Sequence, residues 1–95
     1  MRQFYRAKHI LLEDEEDALE MLSLLENGET FEDLAREYSE CDSAQKGGDL
    51  GRFATGTMVA EFERALYNLQ EGEVSKPVQT KYGFHIIKRL PLESK

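Results

Sequence analysis

Phe4 to Leu12 is a run of aromatic and aliphatic residues interrupted only by Arg6, Lys8 and His9, and it drops at once into five consecutive acids, Glu13-Asp14-Glu15-Glu16-Asp17. The run reads as a first strand closed by a polar loop. Ala18, Met21, Leu22 and Leu25 then recur at spacings of three and four, the helical period. Asp14 is placed to cap that helix, and Gly28 after Asn27 can take the left-handed conformation that ends it. Thr30 caps a second helix, with Asp33 near the capping-box position and Phe31, Leu34, Ala35 and Tyr38 as its buried stripe.

Ser39 to Lys46 is polar and holds one helical turn at most. Gly47-Gly48 then permits a sharp path into a brief strand, Leu50 to Phe53. A third substantial helix is expected from Met58 to Leu69, packing Phe62, Ala65, Leu66 and Leu69 and stopping at Gly72; Met58 and Phe62, four apart, share a face. Val74 to Val78 is strand-like, but Pro77 cannot donate to a ladder and belongs at an edge or a strand end. Gln79 to Lys81 turns, and Tyr82 to Leu90 is the last strand. The order predicts an α+β domain with a small, mostly antiparallel sheet and helices around it.

Composition narrows this picture. Ninety-five residues with 40% hydrophobic content and no tryptophan make one domain over 1–95 with a single modest core. No stretch approaches the roughly 20 apolar residues of a membrane span, and Met1-Arg2-Gln3-Phe4-Tyr5-Arg6 lacks the apolar run of a secretory signal. A soluble monomer without membrane contact is expected, cytoplasmic if the chain is whole and exported if it is a domain of a larger protein. The net charge of −7 opposes a nucleic-acid partner, because such affinity comes mainly from Lys and Arg neutralising phosphates. The acidic run itself suits a solvated helix start. One cysteine excludes an internal disulfide and a zinc site built from several cysteines.

The chemistry concentrates in the two histidines, which share a local context: Lys8-His9-Ile10-Leu11 near the start and Phe84-His85-Ile86-Ile87 near the end. If the terminal strands pair, two titratable rings meet at the centre of the fold. Between them lie Cys41, Gly47-Gly48-Asp49-Leu50-Gly51 and Gly56-Thr57-Met58.

Together with Phe31-Glu32-Asp33-Leu34-Ala35, Tyr38-Ser39 and Glu73-Val74-Ser75-Lys76-Pro77-Val78, these segments resemble the parvulin family of peptidyl-prolyl cis/trans isomerases, in order and over almost the whole chain. The resemblance implies a βαααβαββ fold with a four-stranded antiparallel sheet, proline-containing polypeptides as substrates, and catalysis without cofactor or metal. It makes His9 and His85 the paired histidines, places Cys41 beside them, and gives Thr80 the hydroxyl position that supports them. Two neutral imidazoles, each with one donor and one acceptor, can form a fixed tautomer network that sets the orientation of Cys41. Leu50, Met58 and Phe62 fall on the positions lining the proline pocket; Tyr82 occupies a variable position and receives no role. Phospho-directed members carry basic residues in the loop after the first strand. Here that loop is acidic, so the chain is similar to the small, phosphorylation-independent members.

Three other readings compete. Cys with His is the dyad of thiol hydrolases, but Asp42 beside Cys41 disfavours a thiolate. An open zinc site from His9, Cys41 and His85 lacks supporting ligand spacing. A non-catalytic binding or chaperone module is opposed by the joint presence of His9, Cys41, Met58, Phe62 and His85, since parvulin-like domains without activity usually lack such positions.

Overall fold

The computed structural model describes residues 3–92; Met1, Arg2 and the end Glu93-Ser94-Lys95, expected to fray, lie outside them. The elements are β1 (Phe4–Leu12), α1 (Glu15–Glu26), α2 (Phe31–Tyr38), a 3-10 turn (Asp42–Lys46), β2 (Asp49–Ala54), α3 (Ala60–Tyr67), β3 (Val78–Thr80) and β4 (Gly83–Leu90). This is the βαααβαββ order, the 3-10 turn serving as its third helix. The four strands form one antiparallel sheet in the order β2-β1-β4-β3, so the first and last strands are its centre. Among the described residues no helix is long and apolar enough to cross a membrane.

The sheet is buried on both faces, and strand alternation divides the core in two. Ile10, Leu12 and Ile86 pack against Ala18 and Met21 of α1 and Phe31, Leu34 and Ala35 of α2. Ala7 and Ile87 face the other way and pack with Phe53 and with Phe62, Leu66 and Leu69 from α3 and its end. Thr30 caps α2 as its sequence suggests, its Oγ1 accepting the Asp33 N–H at 3.1 Å. Asp14 stands at the cap of α1 without a side-chain bond; Glu15, Glu16 and Asp17 instead place negative charge at the positive helix end.

Several expected boundaries move. Tyr38 is 42% exposed because it is the last residue of α2, past the reach of the sheet. The third helix starts at Ala60 and ends at Tyr67 with Asn68 as its cap. Leu69 is still buried, and Gly72 belongs to the next turn, donating its N–H to the Arg89 carbonyl. The strand expected at Val74 to Val78 is reduced to an isolated bridge, Val74 to Lys88, and the ladder resumes only after Pro77, at Val78–Thr80, where a turn was expected. Ser75 compensates: its backbone N–H donates to Ile87 O (2.8 Å) and its Oγ accepts the Ile87 N–H (3.0 Å).

Candidate active site

The β1/β4 register sets Leu11 opposite His85 and His9 opposite Ile87. The two histidines are therefore diagonal neighbours on one face of the sheet, the α3 face, within the distance that ring side chains bridge. Their Nδ1 atoms lie 2.9 Å apart, with the rings stacked at 5.1 Å between centroids and 19° between planes. His85 Nε2 is 2.7 Å from Thr80 Oγ1, which also accepts the Tyr82 N–H at 3.1 Å. A single hydrogen occupies the Nδ1 to Nδ1 contact of two neutral rings. Whichever ring donates it, the chain of bonds ends at His9 Nε2, buried and without a partner among the described residues.

Both rings are held neutral. Burial pushes His9 down to about 4, helped by repulsion from His85, and burial alone brings His85 to about 4. Near neutral pH neither ring carries charge, and neither is a strong proton acceptor.

Phe62 stands edge-on to both rings, at 5.7 Å from His9 and 5.5 Å from His85. The three aromatic groups are part of the wall of a cavity of about 270 Å³ that is also lined by Leu11, Cys41, Leu50, Thr57, Met58, Val59 and Tyr82. The structure thus gathers His9, His85, Cys41, Leu50, Met58 and Phe62 around one hollow, with Thr80 behind it as the anchor of His85.

Local backbone features explain the assembly. β2 pairs with β1 through Lys8 opposite Asp49, with a bulge that sets two residues, Leu50 and Gly51, against Ala7. Gly51 takes φ +72° there, and the bulge turns Leu50 toward the cavity. Beyond Lys8 the loop takes over: Gly48 O accepts the His9 N–H (2.9 Å), Ser39 Oγ accepts the Leu11 N–H (3.0 Å), and Leu11 O accepts the Glu40 N–H (2.9 Å). Gly48, at φ +86°, lies so close that a β-carbon would sit 2.4 Å from His9 O, so the second glycine of Gly47-Gly48 is a requirement of the histidine's backbone.

Cys41 is positioned by this loop, its backbone N–H reaching Ser39 Oγ at 3.4 Å. The expected link from the imidazoles to Cys41 is not made: among the described residues no side-chain hydrogen bond joins it to either ring. A thiol without a base in contact lacks the arrangement that activates a nucleophile. Among the described residues no cluster of three or more His, Cys, Asp or Glu is placed to hold a metal.

Three contributors escape a reading of the sequence. Tyr82, 62% exposed, lines the cavity at its rim. Ser39 ties the Cys41 loop to β1. Glu63 is buried inside α3; a charged residue on the turn between Phe62 and Leu66, with Tyr67 four positions on, was the available signal.

The rotamase family model, the PPIC-type PPIASE domain, matches residues 9–90. The foldase protein PrsA of Geobacillus kaustophilus is 55% identical over 91 residues, which is 95% of this chain and 32% of that protein. The crystal structure of PrsA from Bacillus anthracis superposes with a TM-score of 0.91 at 44% identity, covering 96% of this chain and 42% of that one. The solution structure of NmPin, the parvulin of Nitrosopumilus maritimus, gives 0.83 at 44% identity over 93% of this chain and 96% of that one. The chain spans about a third of the length of the curated foldases it matches. Fold, family model and relatives agree, and the chain belongs to the PPIC-type rotamase family as a parvulin-type peptidyl-prolyl cis/trans isomerase domain.

Proposed function

We propose that the cavity walled by Leu50, Met58 and Phe62 holds the proline ring of a polypeptide substrate, with His9, His85, Cys41 and Thr80 setting the field around the twisting amide. Rotation of an X-Pro bond crosses a barrier of roughly 18 to 20 kcal/mol without making or breaking a covalent bond. A 10⁴-fold acceleration asks the site for roughly 5 to 6 kcal/mol of preferential transition-state binding. Amide resonance places charge on the carbonyl oxygen of the planar ground state, and that charge falls as the bond twists. A dry apolar cavity therefore favours the twisted form. Phe62 supplies a flat, rigid wall and Met58 an adaptable one.

The observation that carries this reading is the neutral pair of histidines, bonded Nδ1 to Nδ1 and packed edge-on by Phe62. Two uncharged rings keep the cavity wall apolar while fixing its hydrogen-bond directions, and Thr80 locks the second ring in place. Proton transfer has no part in the reaction, so the rings act by position.

The substrate we infer is an unmodified Xaa-Pro segment of a folding chain, in keeping with relatives named foldases. Glu13 to Asp17, directly after β1, are all exposed, and five carboxylates there repel a phosphate before the proline. Isomerisation of short peptides with Glu, Ala, Leu, Arg or phosphoserine before proline tests this. Phosphoserine is expected to be turned over no better than alanine, and a clear preference for it would overturn the assignment.

A further inference from the structure

Glu63 is a buried carboxylate that the twisting-amide mechanism leaves unused, on the helix residue next to Phe62. Its partners are unusual. Oε1 and Oε2 accept the Gly56 N–H at 3.0 and 2.9 Å, Oε2 accepts the Met58 N–H at 3.0 Å, and Oε1 accepts the Tyr67 hydroxyl at 2.6 Å. Burial pushes the carboxyl up, but the Tyr67 hydroxyl and the backbone N–H groups outweigh it and hold Glu63 below its ordinary value.

The segment it grips is the link between β2 and α3. Gly56 takes φ +90°, and a single turn bond, Thr57 N–H to Ala54 O at 3.2 Å, closes it on itself. Val59, at the N-cap of α3, makes no side-chain capping bond. Two backbone donors in three residues thus depend on one side chain five to seven positions ahead. The residues so held are Thr57 and Met58, which with Val59 line the cavity.

We infer that Glu63 is a positioning residue of the isomerase site, fixing the Gly56-Thr57-Met58 turn and through it the Met58 wall of the proline pocket. The inference rests on the assignment of that cavity to the proline ring. The proline ring is the same in the planar and twisted states, so a wall that only grips it, as Met58 does, contributes uniform binding and its displacement raises KM with little change in kcat, whereas Phe62 also keeps water from the amide. Loss of stability alone, in protein that is still folded, leaves KM where it was.

The test is kinetic, with an Ala-Pro peptide and variants shown to be folded by circular dichroism. Glu63→Gln keeps one acceptor oxygen but turns an amide donor toward the N–H groups; it is expected to raise KM about five- to tenfold with kcat changed less than about twofold. Tyr67→Phe, which spares both backbone bonds, is expected to raise KM by less than about twofold. Leu25→Ala, on the opposite face of the sheet, is the stability control and leaves KM unchanged. A folded Glu63→Gln with normal KM overturns the inference, provided that Met58→Ala raises KM. If Met58→Ala leaves KM unchanged, the proline-pocket assignment falls and takes the inference with it.

Should Glu63→Gln fail to fold, hydrogen exchange on the wild-type protein decides. The Gly56 and Met58 amides are expected to exchange far more slowly than free amides. Exchange at the free rate would show that no clamp exists.

Discussion

The two faces of the central sheet are built from the same strands and do different work. Toward α1 and α2, β1 and β4 present Ile10, Leu12 and Ile86, and among the described residues the buried titratable groups, His9, His85 and Glu63, all belong to the other side. Toward α3, the alternate positions of those strands present His9 and His85, with a hollow of about 270 Å³ left between them and Phe62. One face packs an apolar core to stabilise the fold, and the groove it leaves between α1, α2 and the Val74 to Lys76 segment holds no imidazole. The other keeps an opening and two desolvated imidazoles, both of which cost stability. A strand period of two lets neighbouring residues serve these opposite ends.

The comparison breaks most directly with one truncation on each face. Leu34, 2% exposed, and Phe62, 2% exposed, are both core residues by burial. Phe62→Ala is expected to cost roughly 3 to 5 kcal/mol of stability and to abolish most isomerase activity in whatever fraction is folded, because it opens the proline pocket to water that stabilises the planar amide. Leu34→Ala is expected to cost roughly 2 to 5 kcal/mol while its folded fraction retains near-normal kcat/KM. Urea melts give the stabilities and protease-coupled peptide assays the rates. Equal loss of activity per folded molecule in the two variants would erase the distinction between the faces.

Much of this division was legible beforehand, for identifiable reasons. Thr30 and Gly28 carry local signals that act within one turn, and both are used as expected. The histidines, with aliphatic residues following each, marked the central strands, and the motif spacing led to the parvulin resemblance. What failed depends on tertiary context. The bridge at Val74 and the strand at Val78 follow from what Ser75 does for Ile87, which no local pattern encodes. The nitrogens that meet depend on the diagonal register of His9 and His85. Glu63 was not singled out, because its partners lie in a turn whose shape the sequence does not state. Cys41 was expected within the histidine network; only the path of Ser39 over Leu11 shows that the loop backbone places it.

Acid sharpens the comparison next. Both imidazoles sit on the α3 face and move from an ordinary 6.5 to about 4 in the folded state. Between those values the unfolded chain binds more protons than the folded one, so stability is fully present above 6.5 and is lost as pH falls toward 4. At roughly 1.4 kcal/mol per pH unit of displacement, the loss is of order a few kcal/mol for the pair by the bottom of that window. Glu63 adds to it only below its ordinary 4.5, since its carboxyl is held lower in the fold. Amide protection, taken relative to the intrinsic exchange rate at each pH and followed from pH 7 to 4.5, is expected to drop first in α3 and the Gly56 to Met58 turn, ahead of α1 and α2. The rate constant of the folded enzyme is expected to show no inflection near 6.5. An inflection there would mean that at least one ring is solvated and titrates normally.

The smallest expected effect is on Cys41, half-buried on the α3 face with no hydrogen bond to either ring. On the proposed mechanism no covalent intermediate forms, and the sulfur serves only as part of the cavity wall and of its field. Cys41→Ser keeps the size of the side chain but puts a stronger dipole beside the twisting amide, where it can donate to the carbonyl oxygen and favour the planar state. Isomerisation is expected to fall by no more than about tenfold, some 1.4 kcal/mol in the barrier. Cys41→Ala removes the dipole and is expected to lose less than the serine variant, although it opens a small void. A nucleophile would behave otherwise, with both substitutions abolishing activity alike and a thiol-trapped adduct appearing in the mass spectrum of the wild-type enzyme with substrate. The ranking alanine above serine, with both active, is the outcome that leaves His9, His85 and Phe62 as the working core of this face and Cys41 as part of its lining.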